Sequence, residues 1–198
     1  MIKLLVPLPK TITIACSGGV DSMAAVDFLS RKHDVTVAFY HHGTQTSDEA
    51  CEFVAKYCTD NNIPMVFGFI DTKFKPKGKS QEEYWRECRY GFLGNCGDTA
   101  ITAHHLDDAV ETYLWGCLNG TPKVPQIYKS NVVRPFLTTR KQELIDWCER
   151  KNVPWVEDKS NDNTDYTRNY IRKELMPHAL QVNPGLHKVV KKIVEKQV

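Results

Sequence analysis

The sequence predicts an α/β fold: a doubly wound, mostly parallel sheet with helices on both faces, followed by a short helical C-terminal segment. Three observations predict it. Apolar β-prone runs alternate with helix-period segments four times between Thr11 and Leu118, as in successive parallel βα units. The first run ends in the glycine turn Ser17-Gly18-Gly19, a strand-to-helix geometry that suits an anion. Polar clusters close two further runs, where such sheets bind ligands: His41-His42-Gly43, and His104 to Asp108.

Residues 11–16 read as the first strand. In the following helix, 20–32, Met23, Val26 and Phe28/Leu29 recur at helical spacing. Residues 35–40 form a second apolar strand, and 48–61 a helix for which Ser47 is a cap. A short third strand, 64–69, leads into a polar loop carrying Lys73, Lys75, Lys77 and Lys79. In the next helix, 80–95, Ser80 and Glu83 have capping-box spacing. A fourth strand, 99–103, and a helix, 106–118, complete the alternation. Proline then breaks the chain, and a hairpin turning at Lys129-Ser130-Asn131 fits residues 121–137. A helix over 139–151, a polar loop and final helices broken near Pro177 and Pro184 follow. The expected organisation is a catalytic domain over 1–176 and a short basic helical tail over 177–198.

The chain has 198 residues, 41% hydrophobic and 25% charged, ordinary values for one globular domain. No apolar run approaches the ~20 residues of a membrane span, and Pro7 and Pro9 interrupt the only apolar N-terminal stretch. A cytoplasmic location is expected. Seven cysteines without a C-x-x-C spacing argue against a disulfide framework and a Cys-based metal site. Residues 168–198 hold seven Lys/Arg against two Asp/Glu, a net +5, and residues 1–167 hold 19 against 22, a net −3. A basic end suits a polyanion, or is simply a solvated helix.

The glycine turn lacks the lysine of a Walker loop and the spacing of a dinucleotide fingerprint. What is left is S-G-G-x-D-S. Its glycines admit backbone N–H groups to an anion, and Ser17 and Ser22 offer hydroxyls. Asp21 beside phosphate calls for Mg²⁺ as mediator, or else answers the helix dipole. Asp107, Asp108 and Glu111 open the helix after His104 and His105 at i,i+3 and i,i+4 spacing. They suit a cation site or proton transfer, or again the dipole. Arg86 and Arg89, three apart on one helix, either clamp phosphate or pair with Glu82, Glu83 or Glu87.

SGGVDS, AHHLDD and RECRYGFL together resemble the PP-loop ATP pyrophosphatase superfamily. VVRPFLTTRKQELIDWC and PWVEDKSNDNTDYTRNYIRKELMP then resemble the tRNA(Ile)-lysidine synthetase family through Arg134-Pro135, Trp155, Asp158, Ser160-Asn161, Tyr166, Arg168-Asn169, Arg172 and Pro177. The resemblance runs from about Thr11 to Pro184. It implies that ATP adenylates the wobble cytidine of an isoleucine tRNA with loss of pyrophosphate, and that the ε-amine of L-lysine then displaces AMP. It implies an ATP site at Ser17, Gly18, Gly19, Val20, Asp21 and Ser22, with His41 and Arg89 beside it. Asp21, His104, Asp107, Asp108 and Glu111 become the reaction centre, with Mg²⁺ at Asp21 and Asp108. Asp108 and Glu111 would meet the lysine ammonium or Mg²⁺. Arg86, Arg168, Asn169 and Arg172 become contacts to substrate, the tRNA anticodon loop included. Another PP-loop tRNA modification, such as thiolation, and a non-catalytic RNA-binding remnant are the competing readings; scattered cysteines oppose the first, and intact motifs the second.

Two departures from the pattern stand out. Asn119 occupies a position where relatives carry arginine. Relatives also continue into C-terminal tRNA-binding domains, whereas this sequence ends soon after Pro184; a homodimer or the basic tail is left to supply that grip.

Overall fold

The computed structural model describes residues 2–70, 75–157 and 167–198. Lys73, Asp158, Ser160, Asn161 and Tyr166 fall outside the described residues.

β1 (Thr11–Ala15) lies inside a six-stranded sheet, between β2 (Asp34–His41) and β4 (Ala100–Ile101). β3 (Met65–Phe69) forms one edge beyond β2. β6 (Val132–Val133) pairs with β4, and β5 (Tyr128–Lys129) closes the other edge. Every pairing is parallel except β5 with β6, the expected hairpin. The mostly parallel α/β architecture read from the sequence is therefore the one observed.

Alternating residues of the strands feed two cores. Ile12, Ile14, Val37 and Phe39 join the large core with buried residues of α1 (Val20–Ser30), α2 (Gln45–Asp60), α4 (Leu106–Leu118), α5 (Lys141–Lys151) and α8 (Leu186–Glu195). Ala38, Ala100 and Val132 face the other way, onto Leu93, Tyr90 and Phe92 of α3 (Gln81–Gly94). Helices thus cover both faces, as period-two burial in a parallel sheet requires.

Some local expectations shift. α2 starts at Gln45, not at residue 48, because Thr44 rather than Ser47 is the cap: its hydroxyl accepts from the Ser47 N–H at 3.2 Å. β4 pairs over two residues, shorter than 99–103, as the chain turns into α4. Pro177 does not end a helix. α6 (Thr167–Tyr170) passes into a π-helical segment, Ile171–Leu175, and on into α7 (Met176–Val182), with Pro177 in its first turn. Proline lacks the N–H of a regular ladder, and the wider turns precede it. The break expected near Pro184 is the one observed, between α7 and α8 (Leu186–Glu195). The N-terminal residues also enter the core, through Ile2 and Val6, and the Leu5 N–H donates to Pro135 O at 2.8 Å.

Candidate active site

The site is built from the C-terminal ends of β1 and β4. Gly18 has φ +84°, and a Cβ there would sit 2.9 Å from Val156 Cγ2. Glycine is therefore required both by backbone and by space. Gly19 precedes α1 in an extended conformation with no side-chain cap, so the N–H groups of the first helical turn have no intrahelical acceptor. Ser17 is exposed at this opening, with Val20 half-buried behind it. Ser22 is spent on the turn itself: its hydroxyl accepts from the Ser17 N–H at 3.2 Å and donates to Gly19 O at 2.9 Å. It shapes the anion-ready loop instead of pointing into it.

Asp21, on the first turn of α1, faces α4. Its Oδ2 lies 3.5 Å from His105 Nε2, and its Oδ1 is buried without a hydrogen-bond partner. A buried, unpartnered carboxylate oxygen beside open N–H groups fits a divalent cation that also touches phosphate. Asp108 fits less well, because both its oxygens are engaged. Oδ2 accepts from the His105 N–H at 3.0 Å, and Oδ1 meets Arg168 Nη2 at 3.1 Å. Among the described residues no group of three or more His, Cys, Asp or Glu could hold a metal. One carboxylate plus substrate phosphates is a usual Mg²⁺ arrangement.

His105 is the hub, a residue the sequence displayed but did not single out. It caps α4 by accepting from the Asp108 N–H at Nδ1, 3.3 Å. Burial opposes charge on this ring, but Asp108, Asp21 and Asp107 override it and raise its pKa. His104, beside it, hydrogen-bonds Thr102 Oγ1 at 2.9 Å. Burial pushes its pKa down to about 3, with Arg134, Arg168 and Arg86 adding to the fall against Asp108. His104 is neutral at pH 7 and a poor base.

The acids separate into two sites. Asp108 and Glu111 turn toward the C-terminal helices. Glu111 is 2% exposed, and its carboxylate takes Arg172 Nε at 2.6 Å and Arg168 Nε at 2.9 Å. Arg172 Nη2 also lies 3.6 Å from Asp108. The two arginines are four apart, so the helical register lays both over the carboxylates. Burial would raise the Asp108 carboxyl, but the charges of His105 and Arg168 hold it well below the ordinary range. Asp107 binds elsewhere: it accepts from the Lys141 N–H at 2.8 Å and meets His187 Nε2 at 3.0 Å. It ties α4 to the start of α5 and to α8. No spacing in the sequence announces a partner 80 residues away.

Of the remaining residues, His41 is held by Asp48 at 3.0 Å and accepts from the Gly43 N–H. Arg89 stands near His42, whose pKa burial and that charge lower to about 4. Arg86 lies over the Tyr90 ring, toward β6. Asn169 sits on α6 next to Arg168. A separate cavity of about 420 Å³, lined by Thr11, Asp27 and His33 among others, contains none of the motif residues.

A glycine turn after β1 facing an acidic helix after β4, in a parallel sheet, defines a class: the chain belongs to the PP-loop family, whose domain model matches residues 3–179. Among curated relatives, the tRNA(Ile)-lysidine synthase of Thermotoga maritima is 33% identical, covering 92% of this chain and 48% of that protein. That of Bacillus subtilis is 32% identical, covering 93% and 44%. The chain spans about half the length of these relatives. Of solved structures, the NH3-dependent NAD synthetase of Campylobacter jejuni superposes with a TM-score of 0.53 at 13% identity, over 96% of this chain and 86% of that one. The NMN synthetase of Francisella tularensis gives 0.54 at 15%, over 91% and 84%. These last two show the fold alone. Among the described residues no helix is long and apolar enough to cross a membrane.

Proposed function

We propose that this chain ligates lysine to the wobble cytidine of a CAU-anticodon isoleucine tRNA at the expense of ATP. Four motifs in family order and two lysidine synthase relatives support the reading. The observation that carries it is the meeting of the open glycine turn, the unpartnered Asp21 oxygen and the Asp108–Glu111 pair in one place. The turn takes the phosphates of ATP through the free N–H groups of α1. Asp21 holds Mg²⁺, which supplies charge neutralisation when bound. The cytidine O2 attacks the α-phosphorus, the bond to the β-phosphate breaks and pyrophosphate leaves. The lysine ammonium gives up a proton to solvent water, its nitrogen attacks C2, the C2–O bond breaks and AMP leaves. Asp108 and Glu111 are kept ionised by Arg168 and Arg172, so they receive the ammonium as anions. In doing so it shares or displaces a guanidinium. His104, neutral, orients its neighbours by hydrogen bonding and does not carry the proton.

The test incubates the chain with ATP, labelled lysine and a CAU-anticodon tRNA transcript. Lysine incorporation with AMP and pyrophosphate release is expected. ADP and phosphate release, or modification without lysine, overturns the reading. Asp108→Ala is expected to abolish product while circular dichroism still reports a folded chain; near-normal turnover would refute this placement of the site.

A further inference from the structure

Three cations from three elements surround one tyrosine ring. Arg86 Cζ on α3 lies 4.9 Å from the Tyr90 centroid, Lys129 Nζ on β5 lies 5.2 Å, and Arg134 Cζ after β6 lies 5.7 Å. Arg134 is 3% exposed, and among the described residues its guanidinium bonds neutral acceptors: Gln126 O through Nη1, and the Tyr90 hydroxyl through Nη2 at 2.8 Å. Among the described side chains no carboxylate lies at ion-pair distance from Lys129 or Arg134. Three other guanidiniums are compensated, Arg31 by Asp27, and Arg168 and Arg172 by Glu111. Glu87, one of three glutamates the sequence offered to Arg86 and Arg89, pairs with Lys79.

A buried cation without a counter-ion is costly. Cation–π contact with one ring returns ~0.5–2 kcal/mol per cation, and the three cations repel each other. Among the described side chains none supplies Arg134 with a negative charge. The arrangement lies close enough to the candidate centre for Arg86 and Arg134 to act on His104. It is also distinct from the glycine turn: β6 is two strands from β1, roughly 10 Å at ordinary strand spacing. A triphosphate bound at the turn leaves this second cationic locus unfilled.

We propose that Arg86, Lys129 and Arg134, arrayed around Tyr90, form an oxyanion subsite for a backbone phosphodiester of the RNA, next to the nucleotide that reacts. This rests on the reading of the chain as a tRNA-modifying ligase. The half-buried guanidinium of Arg86 matches the fork geometry of a phosphate, and the buried Arg134 adds its charge from behind the ring. The exposed Lys129 is a flexible point charge at the rim. Contacts of this kind position RNA without reading its sequence.

The test uses the full chain, with Lys129→Ala and Arg86→Ala as variants that avoid the buried Arg134. Binding of an anticodon stem-loop RNA is followed by fluorescence anisotropy over a salt series, and ATP binding is followed separately. Each variant should weaken RNA binding and lower the magnitude of the log K against log salt slope by about 0.7, the value for one lost single-strand phosphate contact. Replacing cytidine by uridine at the wobble position should leave that loss unchanged, and ATP affinity should hold. Loss of ATP affinity with RNA binding intact assigns the locus to ATP and overturns the proposal, as does an unchanged salt slope in both variants. Lysine incorporation by the wild-type chain is scored in parallel. Incorporation with unaffected RNA binding in the variants sinks the subsite alone. No incorporation, with RNA binding weakened as described, sinks the ligase reading alone.

Discussion

Glu111 is a buried acid whose two oxygens meet two guanidiniums. Glu111→Gln keeps the shape and removes the charge. Arg168 and Arg172 are part-exposed and can hydrate, so the loss falls short of a fully buried broken pair: about 1–3 kcal/mol, read as a lower urea midpoint. Turnover should fall further than stability explains, because the site loses half its anionic charge. His104 makes a pH-dependent claim. Its folded pKa, about 3, lies below the ordinary value near 6.5, so the unfolded chain binds more protons between those limits. Stability therefore drops as pH falls through that window. His42, at about 4, adds to it. His105 acts oppositely: its raised pKa gives stability that is complete below its unfolded value and fades as pH rises through the folded one. His104→Gln should lose less stability than wild type between pH 7 and 4.5, measured as the shift in urea midpoint. An equal loss in both would show that the buried imidazole is not what makes the fold acid-sensitive.

At the scale of elements, the β1–α1 turn depends on one backbone conformation. Gly18→Ala forces an alanine to φ +84° and pushes its Cβ to within 2.9 Å of Val156 and 3.3 Å of Val54. A cost of about 1–3 kcal/mol follows, with weakened ATP binding as the turn is displaced; urea titration and nucleotide titration measure the two effects. This element was legible in the sequence because its signals are local: an apolar run, two glycines and a helix. The span of α4 was legible for the same reason, and so was the hairpin at Ser130. What escaped was non-local. Asp107 shares the first turn of α4 with Asp108, and sequence spacing treats them alike. Helical geometry sends one to His187 and Lys141, and the other to Arg168. The covering of Asp108 and Glu111 by Arg168 and Arg172 was likewise hidden. The residues were named from the sequence as substrate contacts, and only the packing of α6 and the π-helical segment over α4 brings them to the acids. Ser22 was read as a phosphate ligand, but the tightness of the turn, which no motif encodes, draws its hydroxyl inward.

For the molecule as a whole, the question is whether the last helix is part of the fold or an attachment to it. By sequence, 177–198 reads as a basic tail. Four lysines, 188, 191, 192 and 196, dominate its charge. Yet Leu186, Val190 and Val194, spaced at four, are buried in the same core as Ile14 and Ala109, and His187 meets Asp107. Burying three aliphatic side chains is worth roughly 1.5–3 kcal/mol each, a large share of the 5–15 kcal/mol that holds an ordinary domain. Removing residues 184–198 would expose that face of α4 and strip Asp107 of a partner. It is therefore expected to lower the melting temperature by well over 10 °C or prevent folding, since 1 kcal/mol shifts a domain of this size by about 2–4 °C. Val190→Ala gives a graded version that keeps every charge and the helix itself, and should cost about 1–3 kcal/mol with the Asp107 contact intact. His187→Ala should perturb the acidic helix while leaving the apolar face in place. If the truncated chain melts cooperatively near the wild-type temperature, α8 is an attachment and its lysines are free to serve RNA alone. If it fails as expected, α8 has two duties on opposite faces, with its apolar side closing the core and its lysines turned to solvent, where a polyanion can reach them.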